Sequence, residues 1–443
     1  MINLSVLRAI LELKDNMSPA LKNATANLES TGRAFTGAGR ALLPLSIAIA
    51  GIGIASLKFA TDLNAGMANV ATLIPGNTAR VEQLKSAVQD LAIAHGKPTQ
   101  DLVAGLYQTI SAFGDQAGDT VEILRINSMA ATAGLATTID AINLTSAVTK
   151  GFGDTTAAAV QKASDLAFIT VKLGQTTFPE LASSIGRVVP LAAKLKISQE
   201  ELFAGFATLT GVVGSTAEVS TQLSAILRAM LKPTDDMQKA IAHLGFSGAE
   251  AMLSQLGMVG SLQALIGTTD GSTEAVAKLF GQAEALTSVF ALTGAQAGTF
   301  SEKLAAMQDE AGKTAEAFKE QTEGINAAGF ALQQLKSTTE VTAQKLGDVL
   351  LPIAVNITKA ILSVSDVVIQ AVDWFGELPG PVQTVTVGFV GLVAAIGPVL
   401  IVLGAVVSGV GALLPVILAA KVAFIAVAGA IATAGSAVEE HCP

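Results

Sequence analysis

ARVEQLKSAVQDLAIAHGKPTQDLVAGLYQTISAFG, residues 79–114, carries the period that decides the fold. Val81, Leu84, Val88 and Leu91 recur at three- and four-residue steps. That spacing lines one face of an α-helix. After the Gly-Lys-Pro break, Leu102, Leu106 and Ile110 repeat the pattern. Thr99 is a plausible N-cap for this second helix, because a hydroxyl can accept a free N–H of the first turn. The stretch therefore predicts a helical hairpin. A similar arrangement, LAFITVKLGQTTFPELASSI (166–185), follows LAIAHGKPTQDLVAGL (91–106) at an offset of about 78 residues, a weak internal duplication of hairpins.

The surrounding chain supports helix as the dominant element. Of its 443 residues, 51% are apolar but only 4% are aromatic, so Ala, Val, Leu and Ile supply most of the apolar surface. Ala and Leu favour helix, and small side chains let helices approach closely. Charged residues are only 14%, against roughly 25% in soluble proteins. The formal charge is −9 and no Lys/Arg-rich run occurs, which argues against sequence-specific nucleic-acid binding. One cysteine, Cys442, allows no internal disulfide. The three histidines, His95, His243 and His441, have no metal-ligand spacing. No cofactor is implied. The opening MINLSVLRAILELKDNMSP lacks a signal-peptide pattern, so the chain is expected to be made and first kept in a cytoplasm.

Six regions follow from the patterning. Residues 1–40 read as an N-terminal amphipathic helix, with Asp15 or Ser18 as cap and Leu21, Ala24 and Leu28 on one face. Residues 41–58 contain a short uncharged run, Ala41 to Leu57, which fits either a buried helix or a minimal span. Residues 59–250 form a globular helical domain, and 251–300 extend it in the same style. Residues 301–376 are richer in charge. There Leu304, Met307, Ala311, Ala315, Phe318, Thr322, Ile325, Phe330, Leu332 and Leu335 give an imperfect three/four pattern. A coiled-coil-like seam and an ordinary amphipathic helix packed on the preceding domain both account for it. A further helix is expected from Pro352 to about Phe375.

Residues 377–438 are hydrophobic and transmembrane-like. No charge occurs between Glu377 and Lys421, a length that fits two spans better than one. Gly397, Gly404 and Gly411 fall seven apart, with Ser408 four after Gly404. On a helix these small residues form a row suited to close packing in an apolar setting. They are the candidate membrane and helix-packing residues.

Catalytic constellations are missing from the sequence. Ala311–Thr314, AGKT, lacks the glycine that a phosphate loop needs five positions before Gly312, where Met307 stands, and it reads as mid-helix. Asp235-Asp236 and Glu200-Glu201 lie at apparent helix starts, where carboxylates favour the positive end of the dipole. Tyr107 and Trp374 read as packing residues. An enzyme is not expected.

Several segments, taken in order, resemble the tail tape-measure proteins of long-tailed bacteriophages and prophages. LELKDNMSPALKNAT (11–25) is similar to the family's opening helix start. AIAGIGIASLKFATDLNAGMANVATL (48–73) is similar to its apolar segment followed by a Phe and a Met, here Phe59 and Met67. Residues 101–114 and 163–246 resemble its signature domain, ending on Leu227, Leu231, Pro233, Leu244 and Gly245. KLGDVLLPIAVNITKAI (345–361) and WFGELPGPVQTVTVGFVGLVAAIGPVLIVLG (374–404) are similar to its later region. Tape measures are often much longer, with extended coiled coil, whereas this sequence stops at EEHCP, as a short form, a prophage remnant or a truncated frame would.

The resemblance implies an all-α, elongated multi-helix protein with a globular helical middle, a coiled-coil-like region and a C-terminal hydrophobic helical hairpin. It implies a scaffold and ruler in the virion tail lumen that sets tail length. Its partners would be tail-tube subunits, tail assembly chaperones, distal-tail or initiator proteins and sister copies. A fully helical chain of this length would span roughly 660 Å. On genome ejection the hydrophobic segments would enter the host inner membrane. From the hydrophobic stretch alone, a pore-forming effector or an integral membrane protein remains open.

Overall fold

Residues 79–114 form the helical hairpin that their spacing predicts. In the computed structural model, which describes residues 53, 55–115, 119–269 and 271–376, every regular element is a helix. The chain runs through α1 (55–73), α2 (Thr78–His95), α3 (Thr99–Phe113), α4 (Asp119–Ala133), α5 (Thr138–Phe152) and α6 (Ala157–Leu173). Then come the short α7 (Phe178–Ser184), a 3-10 turn (Ile185–Arg187), α8 (Val189–Lys194), α9 (Gln199–Val213) and α10 (Thr216–Leu231). α11 (Asp235–His243), α12 (Ala249–Gly267), α13 (Thr273–Phe280), α14 (Ala283–Thr293), α15 (Ala297–Met307), α16 (Lys313–Glu323) and α17 (Ala327–Gly376) complete it. The all-α class is thus observed. The calls on residues 1–40, on most of 41–58 and on 377–438 lie outside the described residues.

Short, punctuated helices follow from their first turns. Thr137, Thr156, Thr177, Ser198, Ser215, Thr234 and Ser272 each accept the N–H three residues on, stopping one helix from running into the next. Thr137 with Asp140 and Thr177 with Glu180 form reciprocal capping boxes. Asp235, Asp236, Glu200 and Glu201 occupy first turns, as their sequence positions suggest. Thr99 differs from its expected role. It is the first helical residue, and Pro98 occupies the cap position without a side-chain bond.

One compact unit comprises Thr61–Thr342. Its larger apolar cluster runs from Ala130 to Met307 and buries Phe178, Phe203, Phe206 and Phe280. Each such side chain contributes about 1.5–3 kcal/mol by leaving water. A smaller cluster joins Leu63, Leu84, Val88, Leu102, Leu106 and Ile110 with Val341. The predicted faces of the first hairpin are therefore its buried faces.

Over 301–376 the coiled-coil-like reading gives way to the plainer one. Turns at 308–312 and 324–326 break the seam. α15 packs on α9, and α16 packs on α4 and α6. Met307, Thr322 and Phe330 are buried, whereas Ile325, Leu332 and Leu335 are exposed. Pro352, read as a helix start, lies inside α17. The second unit is Met1–Ala60 with Ala343–Pro443. Within it Gly347 meets the start of α1 so closely that an added Cβ would overlap the Ser56 carbonyl oxygen.

Among the described residues no single helix is long and apolar enough to cross a membrane. α13 and α14 together approach that composition but are bent by 116°. Their Val276, Leu279, Phe280, Val289 and Leu292 face the protein's own core.

Candidate functional site

Gly397, Gly404, Ser408 and Gly411 lie outside the described residues. The close helix packing expected of them does occur inside the compact unit, at other small residues. A Cβ on Gly66 would stand 2.7 Å from Val103 Cγ1. One on Gly105 would overlap Thr138, and one on Gly151 would overlap Val189. Small residues here bring helices of one compact unit together, which the sequence pattern alone does not distinguish from packing in lipid.

The most specific polar geometry is a set of carboxylates that hold the first turns of distant helices. A helix start leaves N–H groups without intrahelical partners, and an anion there also meets the positive dipole end. Asp101 on α3 accepts from Thr138 N at 3.2 Å and from Thr138 Oγ1 at 2.6 Å, at the start of α5. Glu340 on α17 accepts from Thr99 N at 3.3 Å and from the Thr99 hydroxyl. Glu201 on α9 accepts from Met258 N at 2.8 Å, just after Gly257 breaks α12 with φ 68°. Burial pushes the Glu201 carboxyl up, against the lowering effect of that backbone bond.

Asp165 on α6 is the fourth clasp and answers the AGKT question. Its two oxygens accept from Gly312 N at 3.0 Å and Thr314 N at 2.7 Å. Ser164 and Thr314 hydroxyls lie 2.8 Å apart beside it. AGKT is therefore a helix start, not the mid-helix segment expected. The protein's own carboxylate occupies the place a phosphate would need. Sequence reasoning missed all four long-range clasps because the partners are separated by 37 to 241 residues.

His95 ends α2 in the interior. Its Nδ1 is 2.6 Å from Ser128 Oγ, but Ser128 already donates to the Arg125 carbonyl at 3.0 Å and so accepts from the imidazole. That polarity is the reverse of a nucleophile and its base. Both residues are buried. Burial, then the charges of Arg125 and Lys97, lower the His95 pKa to about 4, so the ring is neutral near pH 7. Its edge meets Phe318 with centroids 5.3 Å apart, and Phe318 meets Phe330 at 5.9 Å.

Two open clefts mark the unit's surface. One, of about 620 Å³, has an apolar floor including Phe168 and Phe178 and a charged rim of Lys172, Lys313, Glu316 and Glu320. The other, of about 600 Å³, lies between α1 and α3 beside Tyr107. Tyr107, read as a packing residue, is 39% exposed there. Among the described residues no group of His, Cys, Asp and Glu could hold a metal ion. Neither cleft gathers a nucleophile, a base and an oxyanion donor.

Residues 85–281, most of the compact unit, match the family described as phage-related minor tail protein. A tape measure protein of Pneumococcus phage Dp-1 is 25% identical over 419 residues, covering 91% of this chain and 35% of that protein. The chain thus spans about a third of that relative's length. No solved structure matches. Over that segment the all-α chain is similar to phage-related minor tail proteins. Along most of its length the chain is similar to a phage tail tape-measure protein.

Proposed function

We propose that this chain acts as a tape measure: a helical scaffold in the tail lumen around which tail-tube subunits polymerise and whose length sets theirs. The observation that carries the reading is the alignment with a phage tape measure protein along 91% of the chain, from a polypeptide whose regular elements are all helices where it is described. Helix suits a ruler because length follows residue number at about 1.5 Å each. The role is structural rather than enzymatic. Tail assembly chaperones, distal-tail proteins and sister copies are the partners it needs, since the uncharged 378–420 stretch would aggregate if left bare. On infection that stretch enters the host membrane and aids genome passage.

An insertion of about ten helical turns into α17, about 54 Å long, tests the ruler. Tails examined by electron microscopy should lengthen by that amount, to the nearest ring of the tube. A matching deletion should shorten them, and tails of unchanged length defeat the reading. Membrane entry is tested by placing charges at Val402 and Val406. Particles with normal tails should deliver less DNA, and undiminished delivery removes that part of the proposal.

A further inference from the structure

The turn at 324–326 interrupts a helical pattern that the sequence does not interrupt. Phe318, Thr322, Ile325, Gly329, Leu332 and Leu335 step by three and four residues straight through it. On one uninterrupted helix they would share a face. In the folded unit they do not. Phe318 turns back until its ring lies 5.9 Å from Phe330, whereas twelve residues of continuous helix would set them about 18 Å apart. Ile325 is wholly exposed, Leu332 is 67% exposed and Leu335 is 48% exposed.

We infer that α16 is a detachable strap, which leaves the core by straightening the 324–326 turn and joining α17 as one continuous helix. The inference stands independently of the tape-measure reading. α16 packs along α4 and α6 but puts little apolar bulk into the core. It buries Thr314 and Thr322, with Ala317 and Phe318 partly covered, whereas α10 buries Val219, Leu223, Ile226, Leu227 and Met230. Its start has no side-chain cap of its own and depends on Asp165 across the interface. The turn depends on a residue without a side chain. A Cβ on Gly324 would lie 2.8 Å from the Glu320 carbonyl oxygen, closer than such atoms approach. Alanine there strains the bend and also favours helix over glycine. Detachment removes one wall of the 620 Å³ cleft and frees the apolar stripe for a seam.

The test uses the full chain with its single cysteine removed by Cys442→Ser. Spin labels go at Lys172→Cys and Glu316→Cys, which line the same cleft, and in a second sample at Glu316→Cys and Leu335→Cys. Pulsed electron resonance then reads both distances. Gly324→Ala should raise the ratio of long to short 172–316 separations about fivefold or more, as about 1 kcal/mol of helix preference plus the lost bend requires. The long population should appear in the 316–335 sample as a narrow peak near 28 Å, the rise of unbroken helix. Asp165→Asn should act in the same direction. An unchanged 172–316 ratio in a Gly324→Ala chain that still melts cooperatively overturns the inference. So does a long 172–316 population without the 28 Å peak, since α16 would then be loose rather than continuous. If Asp165→Asn fails to fold, the Gly324→Ala result decides alone.

Discussion

The hairpin at 91–106 and its look-alike at 166–185 hold their second helices by different means. In the later one the start of α7 is capped locally, although Glu180 Oε2 also accepts from the Thr216 hydroxyl at 3.4 Å. Thr177 accepts from Glu180 N at 3.4 Å, and Glu180 Oε2 accepts from Thr177 N at 3.0 Å. In the earlier one the corresponding cap position is Pro98, which has no N–H to offer. The carboxylate three residues on, Asp101, therefore has no cap N–H to accept from; with Lys97 Nζ 3.8 Å away, it reaches Thr138 instead. Thr99 N–H, left without a local acceptor, goes to Glu340 on α17. One proline thus turns a local cap into two tertiary clasps. The earlier hairpin is tied to α5 and to α17, and α7 could be capped by its own four residues.

The turns differ as well. Gly96 has φ 63° and sits so close to α17 that an added Cβ would stand 2.9 Å from Phe330. Gly174, its counterpart, has φ −113°. His95 precedes Gly96, whereas Leu173 precedes Gly174, so the earlier hairpin alone carries a buried titratable ring.

That asymmetry predicts the largest effect. The unfolded chain protonates His95 near its ordinary pKa of 6.5, and the folded chain only near 4. Between those values the unfolded state binds more protons, so stability falls as pH falls, by about 3 kcal/mol in total. Urea unfolding at steps from pH 7 to 4.5 should show this slope, and His95→Gln should remove it. Parallel pH profiles for the two chains would mean that the imidazole is not held neutral by the fold.

Next in size is the clasp. Asp101→Ala leaves the Thr138 N–H and hydroxyl unpartnered in a buried position and should cost about 2 kcal/mol. Thr177→Ala, which removes a local cap, should cost about 1 kcal/mol in the same assay. If the two losses come out equal, the distinction between tertiary and local capping carries no energetic weight.

Much of the architecture was legible from residues alone. The three/four spacing at Leu84, Val88, Leu102 and Ile110 predicted both the helices and their buried faces. Ser and Thr caps such as Thr137, Thr177 and Ser198 lie within three positions of the N–H groups they hold, a local signal from which the spacing argument singled out only Thr99 among the described residues. The reading went astray where a local signal had two physical outcomes. The stripe from Leu304 to Leu335 fits a seam or a packed helix, and only the turns at 308–312 and 324–326 separate them. Thr99 looked like a cap because hydroxyls often are, but Pro98 stands one position earlier. AGKT looked like mid-helix because Asp165, which starts α16 there, is about 150 residues away in the chain.

The sequence by itself determined the helical class, the buried stripes and most helix boundaries, since these follow from the period of apolar residues and from hydroxyls within three positions of the groups they cap. Only the tertiary structure decided which carboxylate meets which helix start, that His95 is buried neutral beside Phe318, and that α16 folds back on the core. Those outcomes depend on partners brought together from distant parts of the chain. A bond between Thr99 and Glu340 spans 241 residues and leaves no trace in any local window.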